Sequence, residues 1–398
     1  MDGSQKDLEN SKPVVGVNIR IFEEKPSGIQ NFIQGLFSQL VREKKYEYFF
    51  FTTGPKKIEE TSKYINPNSW LLNIIKRIDR RLLNIFFDNI YVLKLIKSEK
   101  INIFIAPSFI LPIFKPKGVY FVTVIHDLSF LTYKNNPFKI YMNLVMYMKT
   151  LMPFILKRAN IVIVPSNYVK NEIKRIYKVN SDKIRVIYEG KDPFFYPNKD
   201  KNKFEEIKKQ YNIGNNFLFT NATNQERKNV FGLIQAFTQI NKYNQYQLAI
   251  SGLLPEKNQR ELEQYILNNN LTKKIKYLGY VSKEELRILY SFARLFIFPS
   301  FEEGFGLPIL ESSSCDCLPI CSNTGSLPEV MGDRNLLFNP RDINSMTAKI
   351  NEVLAWDDQT YTSNLKLVKT YTDKFSWEKT AEEYSQSFEK LIEVQKTC

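Results

Sequence analysis

Along the chain, short continuous apolar runs alternate with longer stretches in which apolar positions recur every three or four residues. Val14–Ile19, Tyr48–Thr52, Ile101–Ala106, Val119–Ile125 and Ile161–Val164, closed by Lys183–Tyr188, read as strands. A strand that is apolar throughout, and not only at alternate positions, is covered on both faces, as in a parallel sheet flanked by helices. Helices are expected from about Ile29 to Arg42 and over Asn167–Tyr177. Residues 189–213 interrupt the rhythm with Pro193, Pro197 and many lysines, the composition of a linker. The rhythm then restarts, with strands at Phe217–Asn221, Tyr246–Ser251, Ile275–Tyr277, Leu295–Phe298 and Leu318–Ser322. Helices are expected at about Asn229–Ile240, at Glu256–Asn268, between the last two strands, at Ser345–Ala355, and from about Ser376 to the end. This pattern predicts an α/β protein with two consecutive parallel-sheet domains, residues 1–188 and 214–375, and a cleft between them. Ligands of such sheets sit at the carboxyl ends of the strands.

Charge adds an asymmetry. The chain carries 56 Lys+Arg and 42 Asp+Glu, a net +14; residues 1–188 hold 30 basic and 15 acidic residues, the remainder 26 and 27. Such an imbalance is informative about partners, not fold. Between Trp70 and Lys97, apolar residues at helical spacing share a helix with the cluster Lys76, Arg77, Arg80 and Arg81. A basic amphipathic helix suits an anionic membrane surface, and equally an ordinary domain helix with a solvated face. The apolar stretch Tyr141–Leu156 is broken by Lys149 and Pro153 and falls short of the ~20 apolar residues a spanning helix needs. No nucleic-acid partner is expected, because no zinc finger, RNP-type strand or KH loop occurs. The polar N-terminus shows no secretory signal, and Cys315, Cys317 and Cys321 read as small buried residues with reduced thiols, not as a metal clip. The expectation is a cytoplasmic protein, peripheral on the inner face of the cell membrane.

Composition removes several chemistries. With His126 as the single histidine, neither a three-His zinc site nor an HExxH helix can be built, and no Walker A run, GxGxxG or D-x-D occurs. These absences weaken a metal-chelating nucleotide site made from paired aspartates, and neither a metal nor a cofactor is assigned from the residues. With only 15 glycines in 398 residues, a local pair is informative, and Gly304 and Gly306 form one within Phe298–Glu311, FPSFEEGFGLPILE. This segment follows a strand and opens a helix at about Leu307. Glycines let backbone approach a ligand, and the first N–H groups of a helix favour a phosphate. Glu303 and Glu311 could hold opposite ends of an extended ligand, since a carboxylate accepts two sugar hydroxyls. A second segment, Asn221-Ala-Thr-Asn-Gln-Glu-Arg227-Lys228-Asn229, also joins a strand to a helix, and its Arg-Lys pair could neutralise a diphosphate. His126 ends the strand Val122-Thr-Val-Ile, and Ser27-Gly28 form a glycine loop between the first strand and first helix. Each of these features alone also fits a structural role.

Together these residues resemble the retaining glycosyltransferases of family 4, within glycosyltransferase group 1, over nearly the whole chain from Val14 to Tyr384. The family's Glu–seven residues–Glu pattern matches Glu303 to Glu311, and its Arg-Lys-Asn run matches Arg227-Lys228-Asn229. Further similar segments are SNTGSLPEV (322–330), FSWEKTAEEY (375–384), SGIQNF (27–32) and VIHDLSF (124–130). The resemblance implies the GT-B fold, two Rossmann-like domains, with the helix 376–398 crossing back onto the first. It implies transfer of a hexose from a UDP- or GDP-linked sugar to a glycan or lipid-linked acceptor, with retention and without a required metal, in surface polysaccharide or glycolipid assembly. In that reading Arg227 and Lys228 hold the diphosphate, Glu311 the ribose and Glu303 the transferred sugar. Backbone at Gly304, Phe305, Gly306 and Leu307 helps hold sugar and phosphate, Asn221 tunes the sugar or base pocket, and His126 contacts the sugar near the reacting centre. Two other readings are a nucleotide-sugar epimerase of the same fold and a basic membrane-binding protein that has lost catalysis. One departure stands out: Cys315-Asp316-Cys317 occupies a turn where the family commonly has a small residue and glycine, so Asp316 is expected to strain it.

Overall fold

The structure is a computed structural model and describes residues 12–20, 28–52, 57–59, 62–65, 87–132, 150–221 and 226–397. Its contacts divide the chain into two units, residues 1–190 with 376–398, and residues 191–375.

In the first unit the described strands are β1 (Val14–Asn18), β2 (Glu47–Phe51), β3 (Lys63–Ile65), β4 (Ile103–Ala106), β5 (Tyr120–Val124), β6 (Ile161–Val164) and β7 (Ile184–Val186). They form one parallel sheet in the order β3-β2-β1-β4-β5-β6-β7. The order reverses between β1 and β4. Helices α1 (Gly28–Arg42), α2 (Val92–Ser98) and α3 (Asn167–Tyr177) connect strands. Two apolar clusters cover the two faces: alternate residues of β4 go to opposite sides, Ile103 and Ile105 to one cluster and Phe104 and Ala106 to the other. That two-sided burial is why the strands read as unbroken apolar runs.

In the second unit α4 (Lys201–Tyr211) precedes β8 (Phe217–Asn221), α5 (Val230–Thr238), β9 (Gln247–Ser251), α6 (Glu256–Asn268), β10 (Ile275–Gly279), α7 (Lys283–Phe292), β11 (Leu295–Phe298), α8 (Leu307–Ser314), β12 (Pro319–Ser322), β13 (Leu337–Phe338), α9 (Ile343–Ala355) and α10 (Asp358–Thr372). The sheet order β10-β9-β8-β11-β12-β13 is again parallel and reverses between β8 and β11. The chain then rejoins the first unit as α11 (Trp377–Thr397). There Trp377, Tyr384 and Phe388 are buried in the same cluster as Phe32 and Phe37 of α1. Burying a side chain of this size contributes about 1.5–3 kcal/mol, so the C-terminal helix is a working part of the first core.

Three details differ from the expected pattern. Within 189–213, where a linker is expected, α4 forms: Asp200 caps it through Asn202 N and Lys203 N, and Phe204 stacks 4.0 Å from Phe292. The short edge strands β3 and β13 give too few apolar positions to show in the sequence. Asp316 does take a left-handed φ of 62°, and Lys369 Nζ holds its carboxylate at 2.6 Å. Aspartate tolerates that region better than most residues.

Candidate active site

In the second unit the strand-order reversal puts the ends of β8 and β11 side by side, and the two charged segments emerge there. After β8 a single 3-10 turn, Glu226–Lys228, presents Arg227 and Lys228. Asn229 ends it in a left-handed conformation, φ 51°, and its Nδ2 donates to Pro340 O at 2.8 Å. After β11 the loop carries Glu302 and Glu303 before α8 starts at Leu307. Glu303 therefore lies off the helix, as expected from a helix start near Leu307, and the spacing to Glu311 is loop plus one turn.

The loop has a defined shape. Phe301 N donates to Arg227 O at 2.7 Å, joining the two segments. Gly306 opens α8 at φ 136°, which side chains other than glycine rarely adopt. Gly325 lies against the peptide of Glu303: a Cβ there would stand 2.9 Å from its nitrogen. Ser326 Oγ lies within hydrogen-bond distance of the carbonyls of Glu303 (3.0 Å) and Phe305 (2.5 Å), and its single O–H donates to one of them at a time. The segment 322–330 is thus the floor on which the glycine loop rests.

The Glu303 carboxylate is buried between the two cations. Arg227 Nη1 donates to Oε2 at 2.5 Å and to Glu302 O at 2.8 Å. Lys228 Nζ lies 2.7 Å from Oε1, a close ion pair, and 4.7 Å from the centre of the Phe298 ring. Burial disfavours the charged form, but Lys228 and Arg227 outweigh it and hold Glu303 down at about 2. It is an acceptor at any working pH and cannot serve as a proton donor. The three side chains carry one net positive charge.

Glu311, in α8, is in different surroundings. It is 9% exposed, and among the described residues no cation comes within ion-pair distance. Its hydrogen-bond donor is Tyr290 of α7, Oη to Oε2 at 3.2 Å. Burial pushes its carboxyl up to about 7, the Tyr290 bond opposing.

In the first unit, His126 follows β5. Its Nε2 lies 2.9 Å from Pro107 O and its Nδ1 3.1 Å from Glu189 Oε1, with Phe32 edge-on at 4.7 Å. Pro107 and His126 both lie just beyond the carboxyl ends of neighbouring strands, β4 and β5. A carbonyl only accepts, so Nε2 is the donor to Pro107. Gly28 begins α1. Ser27, and the basic cluster Lys76, Arg77, Arg80 and Arg81, lie outside the described residues.

The structure brings Arg227, Lys228 and Glu303 together and places Gly304, Phe305, Gly306, Leu307 and Glu311 on the adjoining loop and helix. Asn221 ends β8, in register with Ser251 of β9. Residues 198–366 match the family model for glycosyl transferases group 1, and residues 26–193 the model for glycosyltransferase family 4. The O-antigen chain mannosyltransferase B of Escherichia coli is 31% identical over 288 residues, covering 71% of this chain and 73% of that protein. The chain belongs to the glycosyltransferase group 1 family. The serotype-specific mannosyltransferase WbdA of Escherichia coli is 28% identical over 62% of this glycosyltransferase, a match that spans only 30% of WbdA. The HepE protein of Anabaena, crystallised with UDP-glucose, superposes with a TM-score of 0.68 at 14% identity, over 95% of this chain and 99% of that one. That likeness shows the fold, which is GT-B, two Rossmann-like units.

Two residues of this glycosyltransferase that touch expected site residues, one in each unit, do not stand out in the sequence: Tyr290 beside Glu311 and Glu189 beside His126. Tyr290 lies on α7, a helix not among those expected, and its ring is wholly buried. Glu189 lies 63 positions from its histidine, in a stretch that reads as linker. The thiols of Cys315, Cys317 and Cys321 are buried, and burial pushes that of Cys315 up to about 12, so they are inert. Among the described residues no helix is long and apolar enough to cross a membrane.

Proposed function

We propose that this glycosyltransferase moves a hexose, mannose first among candidates, from a nucleoside-diphosphate sugar to a glycan or lipid-linked acceptor in surface polysaccharide assembly. The observation that carries the proposal is the convergence of Arg227 and Lys228 on Glu303 beside the start of α8, at the strand-order reversal. Transfer requires stabilising a departing diphosphate and an oxocarbenium-like sugar. Arg227 and Lys228 supply the positive charge for the former, and the first turn of α8 adds backbone N–H groups. Glu303 fixes both cations and, as a permanent acceptor, takes sugar hydroxyls on its remaining lone pairs. Glu311 accepts the ribose hydroxyls. Configuration is retained by front-face attack, a donor phosphate oxygen accepting the acceptor proton, and no metal is required. The mannosyl reading is supported by the names of the E. coli relatives, and a nucleotide-sugar donor by the UDP-glucose complex of HepE. No observation favours an epimerase or a protein without catalysis.

The basic first unit would meet the cytoplasmic face of an anionic membrane through Lys76, Arg77, Arg80 and Arg81. Changing all four to Gln should abolish salt-sensitive sedimentation with anionic liposomes; unaltered sedimentation defeats this part. The enzymatic test is release of nucleoside diphosphate from a panel of UDP- and GDP-sugars with a lipid-linked acceptor, with and without EDTA. Release that survives EDTA, with an axial or equatorial product bond matching the donor, is the expected result. No release from any donor, with Glu303→Ala behaving as wild type, overturns the proposal.

A further inference from the structure

We propose that Tyr290 is a positioning residue for Glu311, and that through this pair the affinity for the donor depends on pH within the physiological range. The inference rests on the reading of Glu311 as the ribose acceptor and adds to it a partner and a condition.

Tyr290 is 0% exposed, and its ring is clamped edge-on by Phe219 (5.3 Å), Phe296 (5.2 Å) and Phe195 (6.0 Å). A ring so enclosed leaves its hydroxyl one direction, toward Glu311 Oε2 at 3.2 Å. An ionised carboxylate offers about four lone-pair sites. With Tyr290 on one, it still accepts both hydroxyls of a ribose diol. A protonated carboxyl donates one O–H and has lost part of that capacity, so each proton taken up competes with the donor.

The groups that face Glu311 fix the sign. Lys283 at the start of α7 and Lys228 favour its ionised form, as does the Tyr290 bond; Asp192 opposes it. Cys315, one turn further along α8, stays a neutral thiol. Glu303 does not titrate in the same range, because its two cations hold it near 2. Burial of Glu311 is left largely uncompensated, and removing the tyrosine hydroxyl removes one of the few groups that counter it.

The test is calorimetric titration of the full chain with UDP-glucose and GDP-mannose between pH 5.5 and 8.5. The diphosphate of a nucleotide sugar is doubly esterified and takes up no proton there. Wild type should lose about tenfold in affinity per pH unit below a midpoint near 7, as one competing proton dictates. Tyr290→Phe keeps the ring and the packing; its midpoint should move upward, and its affinity at pH 7 should fall several-fold. Glu311→Gln cannot titrate and should bind weakly at every pH. A Tyr290→Phe protein with the wild-type midpoint overturns the role of Tyr290 while leaving Glu311 in place. Should Tyr290→Phe not fold, wild type against Glu311→Gln still decides the pH dependence: a flat wild-type profile overturns it. Glu311→Gln binding as tightly as wild type defeats the ribose reading itself.

Discussion

Glu303 and Glu311 belong to one segment of fourteen residues, and the structure gives them opposite circumstances. Glu303 sits in a loop, wedged between Arg227 and Lys228, and stays ionised down to about 2. Glu311 sits inside α8 with a tyrosine hydroxyl as its hydrogen-bond donor, and its carboxyl is pushed up to about 7. Both are buried, so desolvation is not the difference; the partners are. What separates a fixed scaffold charge from a titratable ligand group is whether cations arrive from another strand end. The Glu–seven–Glu spacing carries no trace of that, because Arg227 and Lys228 come from 75 or more positions away.

The largest effect should come from taking the cations away from Glu303. Arg227→Ala removes the cation proposed to meet the leaving group and leaves a buried carboxylate half-paired. Turnover should fall by about 10²–10³-fold, the usual loss for one such electrostatic donor. Stability should fall with it, since breaking a buried pair typically costs about 3–5 kcal/mol. Steady-state rates and thermal melting measure both. An Arg227→Ala protein with full turnover would show that the triad is only structural.

Glu311→Gln should split affinity from stability, which sharpens the contrast. Its folded-state carboxyl lies above the unfolded value of 4.5. The stabilising contribution of the neutral form is therefore fully present below 4.5 and is lost as pH rises through about 7. On the order of 3 kcal/mol is at stake at pH 8, an upper bound by linkage. Glu311→Gln should melt higher than wild type at pH 8, equal it near pH 4.5, and bind the donor about 10- to 100-fold more weakly, one lost charged hydrogen-bond partner. For Glu303 the sign is reversed: its depressed value contributes stability above 4.5 that is lost as pH falls toward 2. Melting from pH 3 to 8 in Glu311→Gln and in Glu303→Ala, each against wild type, measures both slopes.

Much of this was legible in the letters. Continuous apolar runs such as Ile161–Val164 specify strands buried on both faces, and Gly304 and Gly306 mark a loop that opens a helix. Arg227 and Lys228 could be named as diphosphate partners; that they meet Glu303 follows only from the order β8-β11. Helix α4 was hidden because only Phe204 and Ile207 face inward from a lysine-rich surface. Tyr290 was hidden for a different reason: it lies on α7, a helix not among those expected, and only the hydroxyl of its buried ring reaches Glu311.

The smallest effect is expected in the first unit, where the same comparison can be run on His126. Its ring is held at both nitrogens, by Pro107 O and by the Glu189 carboxylate, which is as buried as Glu303 and is paired with a ring instead of with two cations. A residue tethered at both ends is oriented, not free to shuttle a proton over distance. Glu189→Gln retains a side chain that reaches Nδ1 and can accept from it through its amide oxygen, whereas Glu189→Ala removes the tether. Glu189→Ala should therefore lower kcat by about tenfold with donor affinity unchanged, and Glu189→Gln should recover most of it, a positioning effect of about 1.4 kcal/mol. Because the chain holds a single histidine, its imidazole gives one set of NMR signals. Those signals should shift in Glu189→Ala and stay near wild type in Glu189→Gln. Equal kcat values in wild type and Glu189→Ala would confine Glu189 to packing and leave all the chemically consequential charge pairing in the second unit.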